Sequence, residues 1–326
     1  VTDEQPPDDE SVQEQEQEQE QEAISFKDLE NLFCLLEEND GGPEWQLIMD
    51  NSTPNMTYQA WRRDPAVGPT QYRMRTVFED VTPELTRDFF WDDDFRRKWD
   101  NMLIHVRTLE ECPRTGTMIS YWIRKFPFFC SDREYIIGRR IWESGRTYFC
   151  VTKGVPYPSL PRHNKPKRVD TYHSSWRIQA VESRKGDGQL TACEVVLFHH
   201  EDMGIPKEIA KIGVRRGMWT HVKNLCRGLH AFQKEQMSGA PLSRCAFMAR
   251  INTKVPAAYS SDLGISTETE EVAQGSSNVR KGNRWKWTIV GGVIVLACCL
   301  DRGVLSKALI FGATRKLNNM RKKNDQ

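Results

Sequence analysis

The fold of this chain is decided by residues 205–236, which read IPKEIAKIGVRRGMWTHVKNLCRGLHAFQKEQ. Apolar side chains recur through this stretch at about every 3.6 residues, the period of an α-helix. They are Ile205, Ile209, Ile212, Trp219, Val222, Leu225, Cys226, Leu229 and Phe232. Basic residues such as Lys207, Arg215 and Arg216 fall mostly off this stripe. The pattern predicts one long helix with an apolar face and a basic face.

Strand-like segments fill most of the chain before this helix. They occupy much of 45–78 and then 102–110, 116–126, 133–142, 146–153, 168–181 and 190–199, with Gly, Pro and Lys turns between them. Two shorter helical regions interrupt the strands. Ser25 with Asp28 resembles a capping box for a helix over 25–40 that ends at Gly41-Gly42. Thr82 suits the N-cap of one or two helices over 82–100.

These elements predict an α+β fold in which an antiparallel sheet grips one long helix. Such an arrangement can enclose a cavity, and an apolar cavity implies an apolar ligand. The core packing of strand aromatics explains the same residues without any ligand. Composition and periodicity leave both interpretations open.

The two ends of the chain differ from its middle in charge, which the net charge of +1 conceals. Residues 1–22 contain QEQEQEQEQE (13–22), carry no Lys or Arg and have too few apolar groups to offset the entropy of ordering, so we predict a disordered acidic segment. Residues 23–236 are the expected folded domain, and 237–283 are a Ser-, Thr-, Gly- and Ala-rich flexible linker. A membrane-anchoring segment over 284–313 and a basic tail over 314–326 complete the predicted organisation.

The anchor prediction rests on the apolar composition of its first half. The uncharged run 287–300 is shorter than the ~20 residues that cross a bilayer. Extension to residue 313 includes Asp301 and Arg302, each of which costs roughly a few kcal/mol mid-bilayer. A short tilted span, a hairpin and an interfacial anchor all fit, and a soluble C-terminal helix is the alternative.

The cysteines indicate the compartment of the domain. All nine are scattered and form no CxxC pair, which is typical of reduced thiols, so we expect the domain to face the cytosol.

Catalytic motifs are scarce in this sequence. It has no GxSxG, Gly-rich phosphate loop or HExxH. The cluster FHHEDMGIP (198–206) is the nearest to a metal site, but neighbouring His residues on a strand point to opposite faces. We therefore expect a strand end and a turn there, with no metal and no cofactor. The near-neutral middle of the chain also argues against a nucleic-acid partner.

Four segments carry a resemblance to a known family. FRRKWD (95–100), YWIRKFPFFCSDREY (121–135), RVDTYHSSWRIQ (168–179) and FHHEDMGIP (198–206) occur in the order and spacing of START domains, the steroidogenic-acute-regulatory-related lipid-transfer family. The resemblance covers about 45–236 and is strongest to the subgroup of phosphatidylcholine transfer proteins. The linker and apolar tail resemble plant START proteins that have a transmembrane region.

The resemblance implies a helix-grip fold, in which a curved antiparallel sheet surrounds a lipid tunnel and the C-terminal helix closes it. It assigns the lipid phosphate to Arg96 and the choline cage to Trp122, Tyr135 and Tyr172. Ring faces attract a quaternary ammonium, and Arg offers a planar fork of donors to phosphate oxygens.

Two positions depart from the subgroup. Ser174 stands where the subgroup has Gln, and Arg124 stands where it has an apolar residue. Arg124 shares the face of Trp122 if the strand is regular, whereas a bulge would turn it to solvent. Phosphatidylcholine is the expected ligand, and an acidic phospholipid or a sterol stays possible.

The long helix is expected to act as a gate for lipid entry. Its gate residues are Ile209, Ile212, Gly213, Gly217, Trp219 and Val222. Gly213 and Gly217 weaken the helix relative to Ala and would ease its displacement. The expected function is binding and transfer of a single lipid between membranes by a tethered protein, with no enzymatic turnover. A lipid sensor without bulk transfer is one alternative, and a cyclase-like enzyme using His105 and Glu194 is another; a protein partner is unknown.

Overall fold

The computed structural model describes residues 22–126 and 130–256. The predicted acidic segment up to residue 21, the linker from residue 257, the membrane-anchoring segment 284–313 and the basic tail lie outside the described residues. Among the described residues, none of the helices combines the length and apolar character that a membrane crossing requires.

Helices occur at three places among the strands of the described chain. Their order is α1 (Phe26–Leu36), β1 (Gln46–Thr53), β2 (Met56–Arg63), β3 (Gln71–Phe78), α2 (Pro83–Trp91), α3 (Asp93–Trp99), β4 (Leu103–Glu111), β5 (Met118–Arg124), β6 (Arg133–Ser144), β7 (Thr147–Gly154), β8 (Lys167–Val169), β9 (Tyr172–Val181), β10 (Ala192–Glu201), α4 (Lys207–Met237), α5 (Arg244–Met248) and β11 (Thr253–Lys254).

All strands in the described residues belong to one sheet. Its order is β1-β2-β3-β10-β9-β7-β6-β5-β4, with antiparallel neighbours, and β8 and β11 each pair in parallel with β6. Because strand side chains alternate between faces, each strand contributes to two separate clusters of buried residues. One face of the sheet carries α1, and the other, concave face carries α4 together with α2, α3 and α5. This is the predicted α+β helix-grip arrangement.

Helix α1 starts where the sequence predicts and ends earlier. The backbone N–H and the hydroxyl of Ser25 donate to the Asp28 carboxylate as part of the predicted capping box. The helix stops at Leu36, before Gly41-Gly42, and Glu38 takes a left-handed φ of 58°. Phe33 packs edge-on against Phe149 with ring centroids 5.1 Å apart, which fixes α1 to the sheet.

Helix α4 lies across the concave face, but its buried stripe differs from the predicted one. Its buried side chains include Met218, Val222, Cys226, Leu229 and Phe232. Ile209 and Ile212 are 62% and 55% exposed, so the predicted stripe is wrong in the first turns of the helix. Apolar residues there mark two faces of the helix, and the 3.6-residue period alone does not say which of them meets the sheet.

The segment after α4 also departs from the prediction. Residues 237–256 were expected to begin the linker, yet they contain α5 and β11. Ser243 caps α5 by accepting from the backbone N–H of Ala246, and Cys245 and Met248 are buried in the main core. The stretch was missed because a helix of one turn is too short to show a period. Within the described residues, the folded part therefore extends to about residue 256.

Candidate functional site

A cluster of aromatic side chains on the concave face contains the three residues of the expected cage. Trp122 on β5 lies opposite Tyr135 on β6, and both belong to one buried cluster with Tyr172 of β9. The rings of Tyr135 and Tyr172 meet edge-on, with centroids 5.3 Å apart. The sheet thus brings together three rings that lie far apart in sequence.

Arg96 on α3 reaches this cluster from the side. Its guanidinium lies 5.1 Å from the ring centroid of Trp122 and 5.3 Å from that of Trp99. One Nη donates to the backbone oxygen of Phe90 at 2.5 Å, and the buried Nε has no hydrogen-bond partner within the described residues. Burial lowers the pKa of Arg96, although Asp93 opposes this effect. Arg96 and Trp122 are adjacent, as the resemblance implies.

Asp93 on α3 connects several residues beneath the cluster through hydrogen bonds, and the sequence analysis did not identify it. Its carboxylate is only 1% exposed and accepts from both Nη atoms of Arg139, at 3.1 and 2.7 Å. It also accepts from the indole N–H of Trp122 at 3.2 Å. The Nε of Arg96 is 3.7 Å away. Arg139 is four residues beyond Tyr135 on the same strand and hence on the same face, which is the signal that could have revealed it.

Arg124 points into the interior. Its side chain is 17% exposed, and one Nη lies 3.3 Å from Asp100. The pairing of β5 with β6 runs without a shift through Trp122 and Arg124, so no bulge turns this side chain to solvent. Burial alone would lower its pKa, but Asp100 first, and then Tyr135, raise it above the ordinary value. Arg124 is therefore a charged neighbour of the aromatic cluster.

Ser174 follows Tyr172 on the same face of β9 and is buried. Its hydroxyl accepts from the indole N–H of Trp176 at 3.0 Å. The side chain of Ser174 is shorter than the Gln that the subgroup has here, and it is already hydrogen-bonded to Trp176.

Glu201 at the end of β10 is a further polar group at the cluster, which the sequence analysis considered only as part of a possible metal site. The hydroxyl of Tyr135 donates to it at 2.8 Å, and the Nε2 of His199 is 3.6 Å away. Burial raises its pKa, but His199, Arg124 and the Tyr135 hydroxyl outweigh burial and hold it below the ordinary value. His199 and Glu201 share one strand face because they are two residues apart, and this spacing was the available signal.

A cavity of about 390 Å³ opens beside Glu201, under the first turns of α4. Its lining includes Thr70, Tyr72, His199, Glu201, Ala210 and Val214.

The two neighbouring His residues of FHHEDMGIP point to opposite faces of the sheet. His199 lines the cavity, whereas the ring of His200 stacks on that of His173, with centroids 5.1 Å apart. The described residues contain no group of three His, Cys, Asp or Glu side chains suited to a metal.

The six expected gate residues separate into two groups. Trp219 packs near Tyr58, with ring centroids 6.2 Å apart, and Val222 is buried. Ile209 and Ile212 are exposed, and a Cβ added at Gly213 or Gly217 would meet no atom within 4 Å. These four therefore lie away from the packed interior.

The candidate acid–base pair of the enzyme hypothesis is not assembled. His105 is exposed on β4, where its ring lies 5.8 Å from that of Tyr121. Glu194 is bound by Arg177 and Gln179 at 2.8 and 3.0 Å. Its neighbour Val195 belongs to the concave core, so Glu194 lies on the opposite face of the sheet.

Comparisons with known proteins identify relatives of this chain and a shared fold. The chain is 26% identical to the phosphatidylcholine transfer protein of Rattus norvegicus over 200 residues, which is 60% of this chain and 87% of the relative. It is 28% identical to the human StAR-related lipid transfer protein 7, mitochondrial, over 47% of this chain and 41% of that protein. The crystal structure of human STARD10 matches with a TM-score of 0.52 and 16% identity, over 78% of this chain and 93% of the other, which shows a shared fold. The START domain model matches residues 30–235, more than half of the chain, and the chain is therefore a member of the START domain family.

Proposed function

We propose that this START domain binds one phospholipid in its interior and transfers or presents it between membranes. The observation that carries the proposal is the position of Arg96 beside the rings of Trp122, Tyr135 and Tyr172. The names of the relatives, phosphatidylcholine transfer protein among them, support a phospholipid as the ligand.

Arg96 is the proposed contact for the lipid phosphate. Its buried Nε lacks a partner within the described residues, and Asp93, its nearest ion-pair neighbour, is already held by Arg139. A guanidinium can only donate hydrogen bonds, so the free donor needs an acceptor such as a phosphate oxygen.

The charge balance around the rings favours a zwitterionic headgroup. Arg139 pairs with Asp93, and Arg124 pairs with Asp100. Arg96 keeps only the 3.7 Å contact of its Nε with Asp93, and among the described residues the carboxylate of Glu201 has only the His199 ring, at 3.6 Å, within ion-pair distance. A ligand that carries both a phosphate and an ammonium complements this arrangement. Phosphatidylcholine is therefore the expected ligand; an acidic phospholipid or a sterol would contradict the charge argument.

We also propose that the domain is tethered through residues 284–313 and faces the cytosol, so that it works between apposed membranes. The apolar composition of that segment and the scattered free cysteines support this arrangement. The relatives are named as transfer proteins, and we propose that the chain likewise performs no chemical turnover.

The experiment is native mass spectrometry of the full chain, followed by transfer of a labelled phosphatidylcholine between vesicles. We compare Trp122→Leu with Tyr148→Leu, because Tyr148 is equally buried and also has an Arg over its ring, at 4.6 Å, but lies outside the cluster. Loss of a desolvated cation–π contact of ~2 kcal/mol should weaken choline-lipid binding by about 30-fold in Trp122→Leu only.

Three other outcomes would change the conclusion. A chain without bound lipid and without transfer would refute the proposal. A stoichiometric lipid with negligible transfer would indicate a sensor. A bound lipid whose mass changes on incubation would indicate a cyclase-like enzyme.

A further inference from the structure

A second pocket lies between the sheet edge and α4, separate from the aromatic cluster. It has a volume of about 230 Å³. Its lining residues are Gln46, Leu47, Ile48, Arg62, Tyr72, Lys211 and Arg215. Gln46 pairs with Arg62, and Arg62 with Tyr72, so these three side chains form a row across β1, β2 and β3. Lys211 and Arg215, one helical turn apart, lie above the row.

The pocket holds positive charge that the described residues do not neutralise. Lys211 is paired with Asp64 at 3.1 Å and with Glu208 at 3.0 Å. Arg62 and Arg215 have no carboxylate within ion-pair distance in the described part of the chain, and the buried Nε of Arg62 has no hydrogen-bond partner there. Asp64, which Arg62 influences from further away, is already held by Lys211. Two guanidinium groups that can only donate therefore face one small space, and they fit the oxygens of a phosphate.

The rim of this pocket is apolar and exposed, which points to a membrane as the source of the phosphate. Leu47 lines the pocket and is 54% exposed. Ile212, next to Lys211 and three residues before Arg215 on α4, is 55% exposed. Exposed apolar groups beside a cationic pocket match a bilayer surface, where acyl chains lie next to phosphates. A soluble phosphate would leave the rim unexplained.

Tyr72 connects this pocket to the interior. It lines both the basic pocket and the 390 Å³ cavity beside Glu201, and it is 7% exposed. Burial raises the pKa of its hydroxyl, so the group stays neutral. A phosphate held by Arg62 and Arg215 would thus lie one side chain away from the interior cavity.

We propose that the basic pocket is a docking site for the phosphate of an anionic membrane lipid. It holds the opening beneath α4 against the bilayer. The inference depends on the proposed function only in taking a membrane as the place where the domain exchanges its ligand. The docked lipid is distinct from the one bound at Arg96.

The test uses the full chain and two vesicle types, phosphatidylcholine alone and phosphatidylcholine with phosphatidic acid. For each variant we measure the ratio of apparent Kd on neutral vesicles to that on anionic vesicles. Any contribution of residues 257–326 is common to all variants, so differences in this ratio report the described domain. The site variant is Arg62→Gln/Arg215→Gln. The control is Arg216→Gln/Arg227→Gln, which removes the same charge from exposed positions of α4 outside the pocket.

The site variant should lose about 30-fold of the preference for anionic vesicles, from two contacts of ~1 kcal/mol each. In the control variant the same preference should fall by about 10-fold or less, at least three times less than in the site variant. Equal losses would mean that only the general charge of α4 matters and would overturn the proposal. Thermal unfolding midpoints verify that both variants fold.

Inorganic phosphate distinguishes the source of the anion. If phosphate, compared with chloride at equal ionic strength, stabilises the parent chain but not the site variant while the vesicle ratio is unchanged, the pocket binds a free anion and membrane docking is refuted. Lipid that co-purifies with the site variant should equal that of the parent, because the aromatic cluster is untouched. Absence of interior lipid from every variant would count against the proposed function and not against this pocket.

Discussion

Three glycines of α4 provide a matched test of how this helix works. A Cβ added at Gly213 or Gly217 meets no atom within 4 Å, whereas at Gly228 it would lie 2.7 Å from the Cγ of Trp99. Gly costs ~0.8–1.0 kcal/mol relative to Ala in a helix interior. The double variant Gly213→Ala/Gly217→Ala should therefore gain up to about 2 kcal/mol. Gly228→Ala should lose about 1–3 kcal/mol by overpacking, against a smaller gain in helix propensity.

Differential scanning calorimetry of the full chain measures the first consequence. In a domain of this size, 1 kcal/mol shifts the unfolding midpoint by about 2–4 °C. The double variant should thus unfold about 4–8 °C higher, and Gly228→Ala should unfold lower than the parent. A lower midpoint for the double variant would refute the geometric argument, because it would mean that the two positions are not open.

Lipid transfer measures the second consequence. If the first turns of α4 must loosen before a lipid passes, the same stabilisation raises the barrier, and transfer should slow by up to about 30-fold. A stabilised double variant with an unchanged transfer rate would refute the gate function of Gly213 and Gly217. The alternative would then be displacement of α4 as a rigid element.

Further predictions concern the charges, the boundary and the pH response of the domain. Replacing Arg139 by Met removes the only two guanidinium hydrogen bonds that the described residues give to buried Asp93 and should lower the free energy of unfolding by up to ~3–5 kcal/mol in urea titration, with recovery when Asp93 is also replaced by Asn. A chain that ends at Met237 should unfold at lower temperature than one that ends at Pro256, because it lacks the buried side chains of α5, of which Met248 alone contributes ~1.5–3 kcal/mol; equal midpoints would show that α5 is dispensable. Burial lowers the pKa of His173 to about 3 and that of His200 to about 4, so the unfolded chain binds more protons below pH ~6.5. Stability should be lost as the pH falls from ~6.5 towards 4, by ~1.4 kcal/mol per pH unit for each His, and a Gln at position 200 should make this loss shallower.

The sequence predicted the architecture well because periodicity reports local geometry. Alternating strands and the long helix were found at nearly their observed bounds, and the caps at Ser25 and Thr82 are both formed. The errors lie where local geometry has more than one solution. The buried side of the first turns of α4 was assigned wrongly because Ile209 and Ile212 continue the apolar period while facing solvent. The segment around Cys245 was assigned to a linker because its burial depends on contacts with elements far away in sequence.

The residues of the candidate site were likewise predicted in part and missed in part. The resemblance predicted that Arg96, Trp122, Tyr135 and Tyr172 act together, and the fold places them together, although which lipid they bind stays a prediction. Neither Asp93 nor Glu201 was predicted to belong to the lipid site, and the reason is physical. A carboxylate in a sequence is usually a solvated surface group, and it is buried without a large cost only when a distant strand supplies its partner. For Asp93 that partner is Arg139, 46 positions away, and for Glu201 it is the hydroxyl of Tyr135, 66 positions away. Long-range pairing of this kind cannot be found from local spacing, yet it determines which charges remain free to meet a ligand.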